Sequence, residues 1–525
     1  NCVHYCAMFG NSDCLKFLVE HQQQSKQQVQ NILLKINECD SSNRTPLHYS
    51  SMKGFSQVVD TLMANGANVN SADGKGRLPL HYASYNGHLT VIQKLIEKGA
   101  NVNSPDSVGI TPLICAALNG HVLATKLLIG HGANVNAMDH LGRNSLHAAC
   151  HSRMPSQPYA NVVEELISAG CDVNSVDKFN RTALHHCASY RDSEIPELLH
   201  DHDIELLRKD NRGNTGLHLM CYYGVNVRAV KKLLRWEEEL INDVNRSGWT
   251  PLHYNASQGN EDICDILVDF EGVDLNAQDE IGRTPAHIAA YYKQSRVLNA
   301  MFSEGAEADI QDVNGKTPLH FAAFSGCFES IEILLNRGAS QAKDRRGRTA
   351  LHSAAYSGQT EILDLLIDSG WSCNEADNAG RTPLMYCCFG PESNVQALKK
   401  LLEKSAELNA VDKYGHTAFM YAAAKNRSAF VTILIHAGVD PNIKNRYGQT
   451  ALSVARNFNS RESFALIRDV AAEKESFTPK GNSPANSPMS PRKNQQASQA
   501  TTAAAAVTAP ASGATPSVPL EVVEI

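Results

Sequence analysis

The 525-residue sequence predicts an all-α solenoid of about fourteen helix-turn-helix plus hairpin units, followed by a disordered C-terminal tail. Three observations lead there. The stretch Thr317–Pro318–Leu319–His320 recurs, with variation, at Asn1, Thr45, Leu78, Thr111, Asn144, Thr182, Thr215, Thr250, Thr284, Thr349, Thr382, Thr417 and Thr450. The spacings run from 32 to 44 residues and cluster at 33, and self-similarity at such a period marks a stacked array with no single central core. Punctuation recurs too: Asp stands five residues before the Thr position, as at Asp73, Asp139, Asp312 and Asp344, and Gly stands two before it, as at Gly109, Gly282 and Gly415. Asn43 and Asn180 replace that Gly, and both residue types tolerate positive φ, so a left-handed turn is expected. Third, beyond Glu473 the composition shifts to Ser, Thr, Pro, Ala and Gln, with few large apolar residues before Val518. The expected boundaries are 1–471 for the array and 472–525 for the tail.

The unit from Thr111 to Asn144 shows how each element arises. Thr111 caps a first helix, and Pro112 fits its first turn, where a missing N–H costs nothing. Leu113, Ala116 and Ala117 supply the apolar face, and Gly120 ends the helix. A second helix follows at about 122–129, with Ala124, Leu127 and Leu128 on its buried stripe and Gly132 as left-handed stop. Residues 134–143 read as an extended turn or hairpin. One helix pair cannot bury both faces, so each unit needs its neighbours.

Along the chain, a polar, Gln-rich insertion near 22–33 is expected to lengthen the second helix or loop out. Units 45–143 are regular. The Asn144 unit carries extra residues around His151–Ala160, including Pro155 and Pro158. The Thr182 unit has Arg191 in place of the inter-helix Gly, and the Thr215 unit has Trp236 followed by three Glu. A soft point or bend is expected across 190–245, and regular stacking from 250 to 470. Arg456, Asn457, Asn459, Arg461, Glu462 and Arg468 polarise the last unit as a cap would. At the other end the sequence opens on Asn1 at a Thr position with interior-type residues, which suggests further repeats upstream.

A period of 33 opened by Thr-Pro-Leu-His resembles the ankyrin-repeat family over nearly the whole chain. Among its members the array is most similar, in length and repeat style, to the regulatory ankyrin subunits of serine/threonine protein phosphatase 6. The resemblance implies a scaffold whose first-helix ends line a concave groove. Seven and eight residues after each Thr position, that end holds Phe9, Tyr85, Tyr190, Tyr222, Tyr223, Tyr291, Tyr292, Phe324, Tyr356, Phe389 and Phe458. Such rings are either a binding stripe, since Tyr is enriched at hot spots, or half-buried packing against neighbouring hairpins. Hairpin tips form a second candidate surface, where Arg345 and Arg346 either are plain solvated turns or would meet an acidic peptide or a phosphate.

Chemistry finds little purchase. Ten His residues occupy the fourth place of the opening motif, and in ankyrin-like repeats this imidazole ties hairpin to helix. Gly315–Lys316–Thr317 resembles a phosphate loop but lacks the earlier Gly. Neither a nucleophile elbow nor a zinc-protease or dinucleotide motif is present, so no enzyme, cofactor or metal is expected. Six of the fourteen Cys residues (Cys6, Cys150, Cys187, Cys221, Cys387 and Cys388) sit where other units place Ala, as small core side chains. Free thiols imply an intracellular, cytoplasmic protein, with the nucleus open. A net charge of −7 disfavours nucleic acid, and no apolar run is long enough to span a membrane.

Two further sets are candidates for modification. Thr478, Ser483, Ser487 and Ser490 each precede Pro and resemble proline-directed kinase sites, and Val523–Glu524–Ile525 resembles a C-terminal ligand of PDZ domains. Asn70, Asn103 and Asn136 match the hairpin position that asparaginyl oxygenases hydroxylate in ankyrin-like proteins. The functional expectation is a protein-binding adaptor, with a phosphatase subunit as candidate partner. A membrane–cytoskeleton adaptor and the ankyrin portion of a larger enzyme or channel are the alternatives.

Overall fold

Repeats are named below by the residue at the Thr position. The computed structural model describes residues 2–24, 36–151, 159–189, 194–391 and 394–476. Among these, 28 α-helices pair into the fourteen expected units, with one additional 3₁₀ turn and no β-strand. The chain divides into Asn1–Ala472, which holds the repeats, and Glu473–Ile525.

The Thr317 repeat shows how local chemistry sets each boundary. Thr317 sits in extended backbone before helix Pro318–Ser325, with Pro in the first turn, and Gly326 at φ 77° donates back to the Ala322 carbonyl. The second helix, Phe328–Asn336, ends in a turn in which Ala339 N–H donates to the Leu334 carbonyl at 3.0 Å. Leu319, Ala322 and Ala323 on the first helix and Ile331 and Leu334 on the second are fully or nearly fully buried. Each first helix packs on the first helix of the next repeat, and one continuous apolar core runs from Val3 to Ile467. Each fully buried Leu or Ile contributes roughly 2 kcal/mol, so stability is distributed along the array.

The hairpins are turns closed by few bonds. Asp344 N–H donates to the Arg348 carbonyl and Gly347 N–H to the Asp344 carbonyl, both at 2.8 Å. Asp344 Oδ1 accepts the Arg346 and Arg348 amides, which fixes the turn from inside. Successive tips are joined by a single backbone bond, such as Arg345 N–H to the Asn314 carbonyl at 2.8 Å, too little for a strand ladder. The turn Gly has two reasons to be Gly. At Gly315 φ is 77°, and a Cβ there would lie 2.7 Å from the Arg345 nitrogen of the next tip. Asn43 and Asn180 hold the same place at φ 59°.

The irregular units differ as their sequences suggest. Helix Ser12–Gln24 is lengthened into the Gln-rich insertion, and the rest of that insertion lies outside the described residues. So do Pro155 and Pro158 of the Asn144 unit and Arg191 of the Thr182 unit. The first helix of the Thr182 repeat is only five residues, Ala183–Cys187. In the Thr215 repeat the extra residues form the 3₁₀ turn Glu238–Asn242, which buries Leu240 and Ile241. The six Cys at Ala places are buried, and none of the fourteen Cys is in a disulfide.

Candidate partner-binding face

On a first helix, Leu two residues and Ala five and six residues after the Thr position turn into the core. The fourth and seventh residues after it share another face, one turn apart. The side chain at the seventh place reaches forward to the fourth place of the next repeat. Tyr222 meets Tyr254 with ring centroids 5.9 Å apart, Tyr291 meets Phe321 at 6.2 Å, and Tyr356 meets Tyr386 at 6.3 Å. Phe389 meets Tyr421 at 5.1 Å. Most are edge-on arrangements, the geometry ring quadrupoles favour.

These contacts divide the sequence candidates. Tyr222, Tyr291, Tyr356 and Phe389 are half-buried in the inter-repeat row. Tyr223 and Tyr292, one residue further on, stand beside them at 5.2 Å and remain 38% and 39% exposed. Phe324 stacks on Tyr291 at 6.4 Å and is 39% exposed, and Tyr85 is half exposed on a separate part of the array. The packing reading therefore describes Tyr222, Tyr291, Tyr356 and Phe389, while Tyr85, Tyr223, Tyr292 and Phe324 keep exposed ring surface. Tyr190 lies outside the described residues, as do Thr478, Ser483, Ser487, Ser490 and Val523–Ile525.

Sequence reasoning missed the partners four residues after the Thr position: Tyr254, Phe321, Tyr386 and Tyr421. They follow His directly and read as part of the motif, yet their spacing of three residues from the stripe was the available signal. It also missed an open depression of about 800 Å³ at the irregular units, lined by Asn180, Asp203, Arg208 and Trp236 among others, where Trp236 stacks on His200 at 4.0 Å.

Other candidates sit in the fold as follows. Arg345 and Arg346 are exposed at a tip whose backbone is tied on both sides, by Arg345 N–H to Asn314 and by Asn378 N–H to the Arg346 carbonyl. Asn70, Asn103 and Asn136 bridge repeats: Asn103 Nδ2 donates to the Gly132 carbonyl at 2.9 Å, and its Oδ1 accepts the Asn134 amide at 2.7 Å. Asn70 and Asn136 repeat the pattern. The motif His residues are structural. His253 Nδ1 accepts the Thr250 amide at 3.1 Å, so its Nε2 carries the proton and donates to the Arg283 carbonyl of the next hairpin at 3.0 Å. Burial pushes His218, His253, His287 and His352 down to about 4, keeping them neutral.

Among the described residues no group of three or more His, Cys, Asp or Glu could hold a metal ion, and no helix is long and apolar enough to cross a membrane. What the face offers is a row of rings on a rigid helical frame. These features define a stacked helical repeat protein of the class that works by binding other proteins.

The comparisons name the class. The family described as ankyrin repeats, in three copies, matches overlapping windows from 3–106 to 392–477, which together span the array. The chain belongs to the ankyrin-repeat family. It is 27% identical to the B-cell lymphoma 3 protein homolog of Mus musculus over 289 residues, 54% of this chain and 55% of that protein. It is 36% identical to the tyrosine-protein kinase HTK16 of Hydra vulgaris over 93 residues, 17% of this chain and 12% of that one. It is 23% identical to the NAD-dependent deacetylase sir2B of Dictyostelium discoideum over 261 residues, 48% of this chain and 28% of that one. The chain thus spans about half the length of the first relative and much less of the other two.

Proposed function

We propose that the array is a non-catalytic scaffold that binds a protein partner across the first-helix face between Tyr222 and Tyr356, with the hairpin tips as a second contact surface. The observation that carries this is the pairing of packed and exposed rings. Tyr291 is held by Phe321 and Phe324, while Tyr292 and Phe324 keep more than a third of their surface in water. The fold's packing uses the first kind of ring and leaves the second available. Rigid aromatic side chains held by their neighbours lose little entropy on binding, which is what hot spots require.

The partner class we infer is a serine/threonine phosphatase catalytic subunit, with the array targeting it to substrates inside the cell. Array length and repeat style support this, and fourteen Cys residues without a disulfide fit an intracellular setting. The Ser/Thr-Pro sites of the tail, the bridging Asn residues and the C-terminal Val-Glu-Ile are then points of regulation. Affinity purification from cells with mass spectrometry tests it. A phosphatase catalytic subunit retained by the wild-type array and lost from Tyr223→Ala/Tyr292→Ala/Phe324→Ala is the expected result. Its absence from both removes the phosphatase reading.

A second reading is that these repeats are the binding portion of a larger enzyme. Two relatives are by name a kinase and a deacetylase, and the matched stretches cover 12% and 28% of them. A full-length transcript with a catalytic region beyond the repeats would decide for it.

A further inference from the structure

Many hairpins of this array carry a lock that the Thr317 repeat lacks. In six repeats the Arg just before the Thr position pairs with the carboxylate of its own hairpin Asp. On either side of the Thr317 repeat these are Arg283 with Asp279 at 2.8 Å and Arg348 with Asp344 at 2.7 Å. In other repeats a Tyr hydroxyl four residues after the Thr position donates to the same carboxylate, as Tyr421 does to Asp412 at 2.7 Å. The Thr317 repeat has Lys316 and Phe321 at these two places. Asp312 Oδ1 keeps its turn bonds to the Asn314 and Lys316 amides at 2.8 Å, so the turn itself is intact.

The Lys316 side chain has been released from that lock. Among the described residues it makes no ion pair, and its ammonium lies over the Phe321 ring, 5.5 Å from the centroid. It is partly buried, and burial together with the nearby Arg348 and Arg346 cations holds its pKa below the usual lysine range, although Asp312 and Asp344 pull the other way. Phe321 in turn touches Tyr291, which stacks on Phe324. The exposed side chains of Arg345 and Arg346 project from the adjoining tip. A partly dehydrated cation, a second pair of cations and exposed ring edges are thus contiguous.

We propose that this stretch receives an acidic segment of the partner protein: one Asp or Glu carboxylate pairs with the Lys316 ammonium, apolar neighbours of that residue lie on Tyr292 and Phe324, and the Arg345–Arg346 tip takes further carboxylates. The inference rests on the binding reading above and specifies its partner's chemistry. Charge complementarity carries it. An ammonium already stripped of part of its water, with no carboxylate of its own, gains a charge-assisted bond at little further desolvation cost. The neighbouring Arg residues raise the local positive potential in a chain whose net charge is −7.

The test pans a phage-displayed library of random dodecapeptides against the full chain. Affinity of the enriched peptides is then measured by fluorescence anisotropy for wild type, Lys316→Met, Lys316→Arg and Tyr292→Ala/Phe324→Ala, each checked by thermal melting. Enriched peptides are expected to set Asp or Glu beside aliphatic or aromatic residues, and Lys316→Met to weaken them about tenfold. Lys316→Arg keeps the charge but restores the pair with Asp312, as in the flanking repeats. It is expected to raise the melting temperature while weakening the peptides. Peptides without an acidic consensus, no enriched peptides, or affinities unchanged by Lys316→Met overturn the proposal. If binding survives Lys316→Met but is lost in Tyr292→Ala/Phe324→Ala, the aromatic face stands and only the acidic partner falls. If binding survives both, the face itself is not the site.

Discussion

The motif His residues from His48 to His352 use both ring nitrogens, one on the amide of the residue at the Thr position and one on the next hairpin, so each joins two repeats at a buried point. Replacing His253 by Ala leaves the Arg283 carbonyl and the Thr250 amide unpaired, at an expected cost of about 1–3 kcal/mol. Thermal melting by circular dichroism reads this, and an unchanged melting temperature would contradict the bridging role. The same burial gives the array an acid limit. Unfolded His takes up its proton near pH 6.5. Folded His218, His253, His287 and His352 resist until about 4. The unfolded chain therefore binds more protons between those values, and stability falls as pH drops through the window. Melting temperatures at pH 7.5, 6 and 5 should decline steadily, and a flat profile would show that these rings are not buried as described. At this scale the sequence was read well: the small-residue use of Cys followed from position, and the His role from the resemblance to ankyrin repeats. The release of Lys316 did not, because Lys and Arg look equivalent in a basic turn until their partners are seen.

Between neighbouring helices, rings one residue apart have different work. Tyr291 is enclosed by Phe321, Phe324 and Tyr292, whereas Tyr292 has one open side. Tyr291→Ala should cost about 1–2 kcal/mol of stability, and Tyr292→Ala about 0.5 kcal/mol or less, as read by denaturant titration. Equal losses would mean the exposed rings are structural too. The sequence placed all these rings at one end of the first helix, since the motif fixes where that helix begins. It could not separate them, because the reach of the seventh place to the fourth place of the next repeat is a contact between repeats. Hairpins were anticipated at the right residues. That they are turns linked by single bonds, with no strands, follows from their length of only a few residues.

For the array as a whole, stability is the sum of similar interfaces and should be lowest where an interface is smallest. The Thr182 repeat, with its five-residue first helix, is that place among the described residues. Hydrogen exchange should show residues 183–242 opening before either flank, and uniform protection would contradict the expectation of a soft point there. Fold and repeat count were legible end to end because each unit restates the same motif. The partner was not, since the same frame carries many binding surfaces and only side chains at the face distinguish them. The most direct measurement of the central claim is site-specific photo-crosslinking in cells. Benzoylphenylalanine is placed at Tyr292 or Phe324 on the ringed face, and at Glu332, which is exposed on a second helix. A discrete adduct to one partner protein from positions 292 and 324, and none from 332, is the predicted result. Adducts from 332 alone, or none from either face position, would place binding elsewhere.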